Sequence, residues 1–187
     1  MVGRFPLLER AYLSSPVVDM NGYPYFVNPI SDGVPCVEPA LLEEVVAGLE
    51  SLCEGDYDLI LAPEAMGIHL AAGLSLRTGK PFSVIRKRKY GLPLEIEVSY
   101  RTGYSSSKMY INGVGKGDKV IIVDDVVSTG GTLLALSDAL RSAGAEVVMA
   151  AVVYDKSADL GELSGKTGLE VRALLKVGIK DGKPALV

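Results

Sequence analysis

From about residue 40 onward the chain alternates short apolar runs with stretches of helical periodicity. After Pro39, apolar residues at Leu41, Leu42, Val45, Val46, Leu49 and Leu52 recur every three or four positions, the spacing that lines one face of an amphipathic helix. The runs Leu59 to Ala62, Phe82 to Arg86, Val120 to Val123, Val147 to Val153 and Ala173 to Val177 are strand-sized and mostly apolar, with no in-out alternation. Such runs predict strands covered on both faces, as in a parallel sheet. Helical patterns fit between them. Gly67 to Leu76 follows the first run, and Gly131 to Ala143 follows the third, with Leu133, Leu136, Leu140 and Ala143 on one face and Gly144 as a stop signal. The pattern predicts an α/β fold: a doubly wound, mainly parallel sheet with helices on both faces.

Two regions fall outside that rhythm. Residues 91–118, opening with Gly91-Leu92-Pro93 and carrying Gly103, Ser105, Ser106 and Ser107, form a polar excursion that is long for a connection in a compact domain. A flexible functional lid, with flanks paired as a hairpin, is the expectation there. Residues 1–38, rich in Pro, Gly and Tyr, are expected to form an irregular hood over one edge of the sheet, with residues 39–187 as the core. With no repeat and no linker-like stretch, one domain is expected.

Composition narrows the classes of function. Hydrophobic residues make up 48% and charged residues 22% of the chain, enough apolar material for a core and too much for a disordered chain. The apolar stretches are strand-sized, and Arg4, Glu9 and Arg10 stand where a secretory signal has its apolar centre, so a cytoplasmic protein with no membrane partner is expected. A net charge of -4 gives no general attraction to nucleic acid, which leaves Arg86 to Lys89 as a local positive patch. Cys36 and Cys53 lack metal-ligand spacing and have only His69 as company, so they read as free thiols.

The chemistry concentrates in Val120-Ile121-Ile122-Val123-Asp124-Asp125-Val126-Val127-Ser128-Thr129-Gly130-Gly131-Thr132, an apolar strand that ends in two carboxylates and turns through small residues into a helix. In an open α/β sheet the ligand crevice lies beyond the carboxyl ends of the strands. The hydroxyls of Ser128, Thr129 and Thr132, the close backbone approach at Gly130 and Gly131, and a helix N-terminus together suit a phosphate. Two acids beside a phosphate would repel it unless they bind sugar hydroxyls or face a divalent metal, and a sugar phosphate satisfies both groups. This segment lacks the Gly-Lys-Ser/Thr triplet of a Walker loop and the glycine spacing of a dinucleotide fingerprint. The basic run at Arg86 stands at another strand's carboxyl end, where it can meet further negative groups of the same ligand.

That thirteen-residue stretch resembles the phosphoribosyl pyrophosphate signature of type I phosphoribosyltransferases. The resemblance implies that Asp124 and Asp125 are catalytic and bind the ribose hydroxyls, one of them through Mg2+, while Val126, Val127, Ser128, Thr129, Gly130, Gly131 and Thr132 wrap the 5'-phosphate. Pro63-Glu64-Ala65-Met66-Gly67 resembles the family's short pyrophosphate loop, and Val84-Ile85-Arg86-Lys87 the Val-Arg-Lys strand end of adenine phosphoribosyltransferases. Pyrophosphate is therefore expected against Glu64, Ala65, Met66, Gly67, Arg86, Lys87 and Lys89. The whole chain is most similar to the archaeal hypoxanthine/guanine group, through Asn28-Pro29-Ile30-Ser31-Asp32-Gly33, the run from Arg86 to Pro93, and Thr102-Gly103 before Tyr104.

The substrates so implied are phosphoribosyl pyrophosphate and a purine base, with Mg2+ as cofactor and a homodimer as the assembly. Transfer from an anomeric pyrophosphate is expected to pass through an oxocarbenium-like state, with Lys87 and Tyr104 joining the acids at the reacting centre. Tyr154 and Lys156, after the fourth strand, are the expected base-binding residues. Asp155 falls at the position where 6-oxopurine enzymes carry a Lys. Ser128 replaces the phosphate-loop Asp of bacterial and animal 6-oxopurine enzymes, Gly103 the Glu of the adenine enzymes' Glu-Tyr pair, and Met66 their pyrophosphate-loop Arg. A 6-oxopurine is the expected base, with adenine as the alternative and a purine-sensing regulator on the same fold as a rival of another class.

Overall fold

The computed structural model describes residues 4–102 and 105–187. The N-terminal segment holds more regular structure than its composition suggests. Helix α1 (Pro6–Leu13) starts on a proline at its first position and buries Leu8 and Tyr12, one turn apart. Strands β1 (Val17–Met20) and β2 (Tyr23–Phe26) form an antiparallel hairpin. Its turn is Asn21-Gly22, with φ of 59° and 84°, the left-handed pair that a two-residue hairpin loop requires. The short helix α2 (Pro29–Asp32) follows, with Asn28 as its N-cap.

The core then runs α3 (Pro39–Leu52), β3 (Leu59–Pro63), α4 (Gly67–Thr78), β4 (Phe82–Ile85), β5 (Ile96–Thr102), β6 (Ser105–Ile111), β7 (Lys119–Val127), α5 (Gly131–Ser142), β8 (Glu146–Asp155), α6 (Leu160–Thr167), β9 (Glu170–Lys180) and β10 (Lys183–Leu186). Six strands form the main sheet in the order β10-β9-β8-β7-β3-β4. All neighbours are parallel except the edge pair β9 and β10. Each strand-sized apolar run lies within or overlaps one of the parallel strands, and the flanks of the 91–118 excursion pair as the hairpin β5–β6.

The absence of alternation has its expected cause. Ile60, Ala62, Ile121 and Val123 pack with α1, α3 and α4 on one face, while Leu61, Ile122, Ala150 and Val152 pack with α5 and α6 on the other. Two elements had no sequence signal. Helix α6 buries only Leu163 and Thr167, so it has no apolar stripe. Strand β10 is a short edge strand with no fully covered residue. Strand β7 extends through Asp124 and Asp125 to Val127, because the sheet continues pairing with β8 beyond the apolar run.

The connection after β3 runs to β4 on one side, and the connection after β7 runs to β8 on the other. That reversal opens a crevice at the carboxyl ends of β3 and β7, and it places the loop after β3, the end of β4 and the acid pair of β7 around one opening.

Candidate active site

The loop after β7 and the first turn of α5 enclose a cavity of about 190 Å3. Its lining includes Asp124 and all of the residues expected at the 5'-phosphate: Val126, Val127, Ser128, Thr129, Gly130, Gly131 and Thr132. Gly130 stands at the N-cap with φ of 75°, and no side chain caps the helix, so the free N–H groups of α5 face the cavity. Helix α4 likewise begins without a side-chain cap, at Met66. By contrast, α2 and α6 are capped by Asn28 and Asp159.

The two acids sit in different surroundings. Asp124 lines the phosphate cavity, and its Oδ1 accepts from the Asp125 N–H at 2.9 Å. A Cβ on Gly67 would stand 2.8 Å from the Val123 carbonyl oxygen and 3.4 Å from Asp124 Oδ1, so only glycine lets the first turn of α4 lie directly on the acid strand. Asp125 instead meets the hood, where Ser31 and Asp32 act on it. Burial raises the carboxyl pKa of Asp124 well above the usual range, and the neighbouring Asp125 adds to that. Burial also raises Asp125, against the lowering effect of the Ser31 hydroxyl. Such a pair gains from any ligand that supplies hydroxyl donors or positive charge.

On the opposite wall, Pro63 pairs with Ile85, which sets Glu64 beside Arg86. Glu64 Oε1 accepts from the Lys87 N–H at 2.6 Å, and Arg86 Nε lies 3.0 Å from Glu64 Oε2 without hydrogen-bond alignment. Glu64 thus fastens the loop to the end of β4 and holds the guanidinium at the rim. Ala65, Lys87 and Lys89 are exposed, and Lys89 Nζ is 3.5 Å from Glu97 Oε2. Arg86→Ala would remove the cation and leave the Glu64 charge uncompensated by it where the pyrophosphate is expected, so KM for a pyrophosphorylated substrate should rise by about tenfold or more, read from initial rates against substrate concentration.

The expected base-binding pair divides. Lys156 reaches the hood: its Nζ donates to the Tyr23 hydroxyl at 2.7 Å and lies 4.9 Å and 5.1 Å from the ring centroids of Tyr23 and Phe26. It also borders an open pocket of about 270 Å3 that includes Ser128, Thr129 and Lys166. Tyr154 is fully buried, packs on Tyr12 and Phe26, and donates its hydroxyl to Asn28 Oδ1 at 2.8 Å. It is therefore a core anchor for the hood, and the surface at the end of β8 is supplied by its neighbours. Asp155 is also spoken for, since it accepts from Ser157 N–H at 2.7 Å and from Lys176 Nζ at 2.9 Å. Tyr104 lies outside the described residues.

Asn28, Ser31 and Asp32 carry no spacing signal for a site, yet the fold brings them to it. Asn28 is fully buried: Oδ1 accepts from Ile30 N–H at 2.9 Å, and Nδ2 donates to Ser15 Oγ at 2.8 Å. Asp32 accepts from the Tyr25 hydroxyl at 2.7 Å and from Asn28 N–H at 2.8 Å. A Gly-Lys-Thr triplet does occur in the chain, at Gly165-Lys166-Thr167, but it closes α6 instead of opening a helix and is no phosphate loop.

Comparison with known proteins agrees with this geometry. Residues 41–172 match the phosphoribosyl transferase domain family. The hypoxanthine/guanine phosphoribosyltransferase of Methanobacterium lacus is 46% identical over 96% of this chain and 94% of its own. The protein of the same name from Methanothermobacter thermautotrophicus is 48% identical over 94% of this chain and 91% of its own. Among solved structures, an adenine phosphoribosyltransferase from Thermoanaerobacter pseudethanolicus is 27% identical with a TM-score of 0.70, covering 90% of this chain and 99% of its own.

Proposed function

Because the chain belongs to the phosphoribosyltransferase family, we propose that it transfers the 5-phosphoribosyl group of phosphoribosyl pyrophosphate to hypoxanthine or guanine, giving IMP or GMP and pyrophosphate. The observation that carries the reading is the convergence, at one switch point of the sheet, of a phosphate-sized cavity, an acid pair and a strand end bearing Arg86.

In this mechanism the 5'-phosphate occupies the Ser128 to Thr132 cavity, and Asp124 and Asp125 accept hydrogen bonds from the ribose hydroxyls. Pyrophosphate lies across the N-terminus of α4 toward Arg86, Lys87 and Lys89. As the bond from C1 to the pyrophosphate oxygen breaks, these cations neutralise charge growing on the leaving group, while a purine ring nitrogen forms the new bond to C1 and the base's ring N–H proton passes to solvent. Mg2+, bound by the acids together with substrate and water, would supply further charge neutralisation. We further propose a single domain working as a homodimer in the cytoplasm, on the strength of the family. No helix among the described residues is long and apolar enough to cross a membrane.

Two features favour the 6-oxopurine over adenine. The relatives at 46% and 48% identity over nearly the whole chain are named hypoxanthine/guanine phosphoribosyltransferases, against 27% for the adenine enzyme, and Lys156 offers a donor suited to a 6-oxo group. Catalytic efficiencies for hypoxanthine, guanine, xanthine and adenine test the choice. Hypoxanthine or guanine should lead, and Lys156→Ala should weaken their use. A preference for adenine of about tenfold or more would overturn the oxopurine reading.

A further inference from the structure

Buried polar atoms in folded proteins nearly always find partners, and an unpaired one costs roughly 1–3 kcal/mol. Among the described residues, four buried side-chain atoms have no hydrogen-bond partner: Ser31 Oγ, His69 Nε2, Arg86 Nε and Ser137 Oγ. The first three surround the crevice. Arg86 already has a role there, whereas Ser31 and His69 come from elements that the proposed reaction has not used.

Both lie on helices that pack against β7, the strand that carries Asp125. Ser31 lies on α2, which packs on β7, and it is only 7% exposed, so it has little surface for a ligand in the open cleft. Its hydroxyl is near enough to Asp125 to lower that carboxyl's pKa, yet it makes no aligned hydrogen bond. His69 lies on the first turn of α4, two residues after Gly67, on a helix that also packs against β7. Burial lowers its pKa, and Asp125 is the charge that opposes the shift. Asp124 has a different setting, on the phosphate cavity and against the Asp125 N–H.

We propose that Ser31 and His69 are positioning residues that hold Asp125 from the hood side and the α4 side. With substrate bound, Ser31 Oγ–H and His69 Nε2–H donate to the Asp125 carboxylate and fix its plane, which leaves the remaining lone pairs toward the sugar. The role rests on the phosphoribosyl transfer reading, and it gives the hood a part in orienting the ribose as well as covering the site. The placement of Ser31 depends in turn on Asn28 and Asp32, whose hydrogen bonds lock α2.

Steady-state kinetics of Ser31→Ala, Ser31→Thr, His69→Ala and His69→Gln, with thermal melts alongside, test the proposal. Each Ala variant should lose about tenfold in kcat, with KM for phosphoribosyl pyrophosphate changed by less than about threefold, since a single charge-assisted hydrogen bond is removed from the oriented complex. Ser31→Thr and His69→Gln keep a donor and should recover most of the rate. In an Asp125→Asn background, Ser31→Ala should cost less than about twofold more, because the group it orients is already altered. Wild-type kcat in both Ala variants, or a full additional loss on the Asp125→Asn background, would overturn the positioning role. The wild-type rate in the same assay keeps the two readings apart. A silent wild type refutes the transfer reaction, whereas an active wild type with unaffected Ala variants refutes only the role of Ser31 and His69.

Discussion

Asp124→Asn and Asp125→Asn should each cut turnover by about a hundredfold or more while the protein stays folded. The carboxylates lie at the mouth of the crevice, half-buried on a strand whose backbone pairing does not depend on them. Asn keeps the shape of each side chain. It loses the charge that would attract Mg2+ and accept strongly from ribose hydroxyls, and those contacts orient the anomeric carbon for attack. The effect on stability should have the opposite sign. Burial raises both carboxyl pKa values, so ionising them costs more in the folded state than in the unfolded chain, and a neutral amide removes that cost. Melting temperatures equal to or above wild type, together with the lost turnover, are the expected pair of results. Near-wild-type turnover in the double Asn variant with Mg2+ present would show that these residues are misassigned.

Asn28→Ala should produce the largest loss of stability in the hood. Asn28 is fully buried and links three parts of the chain: Ile30 N–H and the Tyr154 hydroxyl donate to its Oδ1, and its Nδ2 donates to Ser15. Truncation strands several buried polar groups at about 1–3 kcal/mol each. A total of about 3 kcal/mol corresponds to a fall in Tm of roughly 6–12 °C for a chain of this size. Tyr154→Phe removes one of these bonds and keeps the ring packing on Tyr12 and Phe26, so it should cost only about 1 kcal/mol. Equal melting temperatures for Asn28→Ala and wild type would mean that the hood is not anchored through this residue.

What could be read from the sequence follows from where hydrophobic burial is continuous. The central parallel strands β3, β7 and β8 are covered on both faces along their apolar runs, so those runs lack in-out alternation and stand out. The phosphate loop was legible because its chemistry is local: Asp124 and Val126 to Thr132 lie in one short stretch, and the cavity they line is built mainly by one strand, one turn and one helix start. Elements that bury one or two side chains leave no such trace, as α6 shows with Leu163 and Thr167. The hood carried a legible turn at Asn21-Gly22, but its Pro, Gly and Tyr content pointed to irregular chain. The link from Ser31 to Asp125 is a contact between distant stretches of chain, which no spacing rule reports. Tyr154 illustrates the converse. Its position at the end of β8 is where a base-binding residue was expected, but its ring faces the aromatic cluster under the hood.

The central claim is that this crevice turns over phosphoribosyl pyrophosphate and a purine, as opposed to binding them as a sensor would. Quantifying nucleotide and pyrophosphate together after incubation of the full chain with phosphoribosyl pyrophosphate, Mg2+ and hypoxanthine tests it most directly. The account predicts IMP and pyrophosphate in equal amounts, over many turnovers per chain, with neither formed when hypoxanthine is omitted. Binding of phosphoribosyl pyrophosphate without nucleotide formation, for hypoxanthine, guanine and adenine alike, would contradict it.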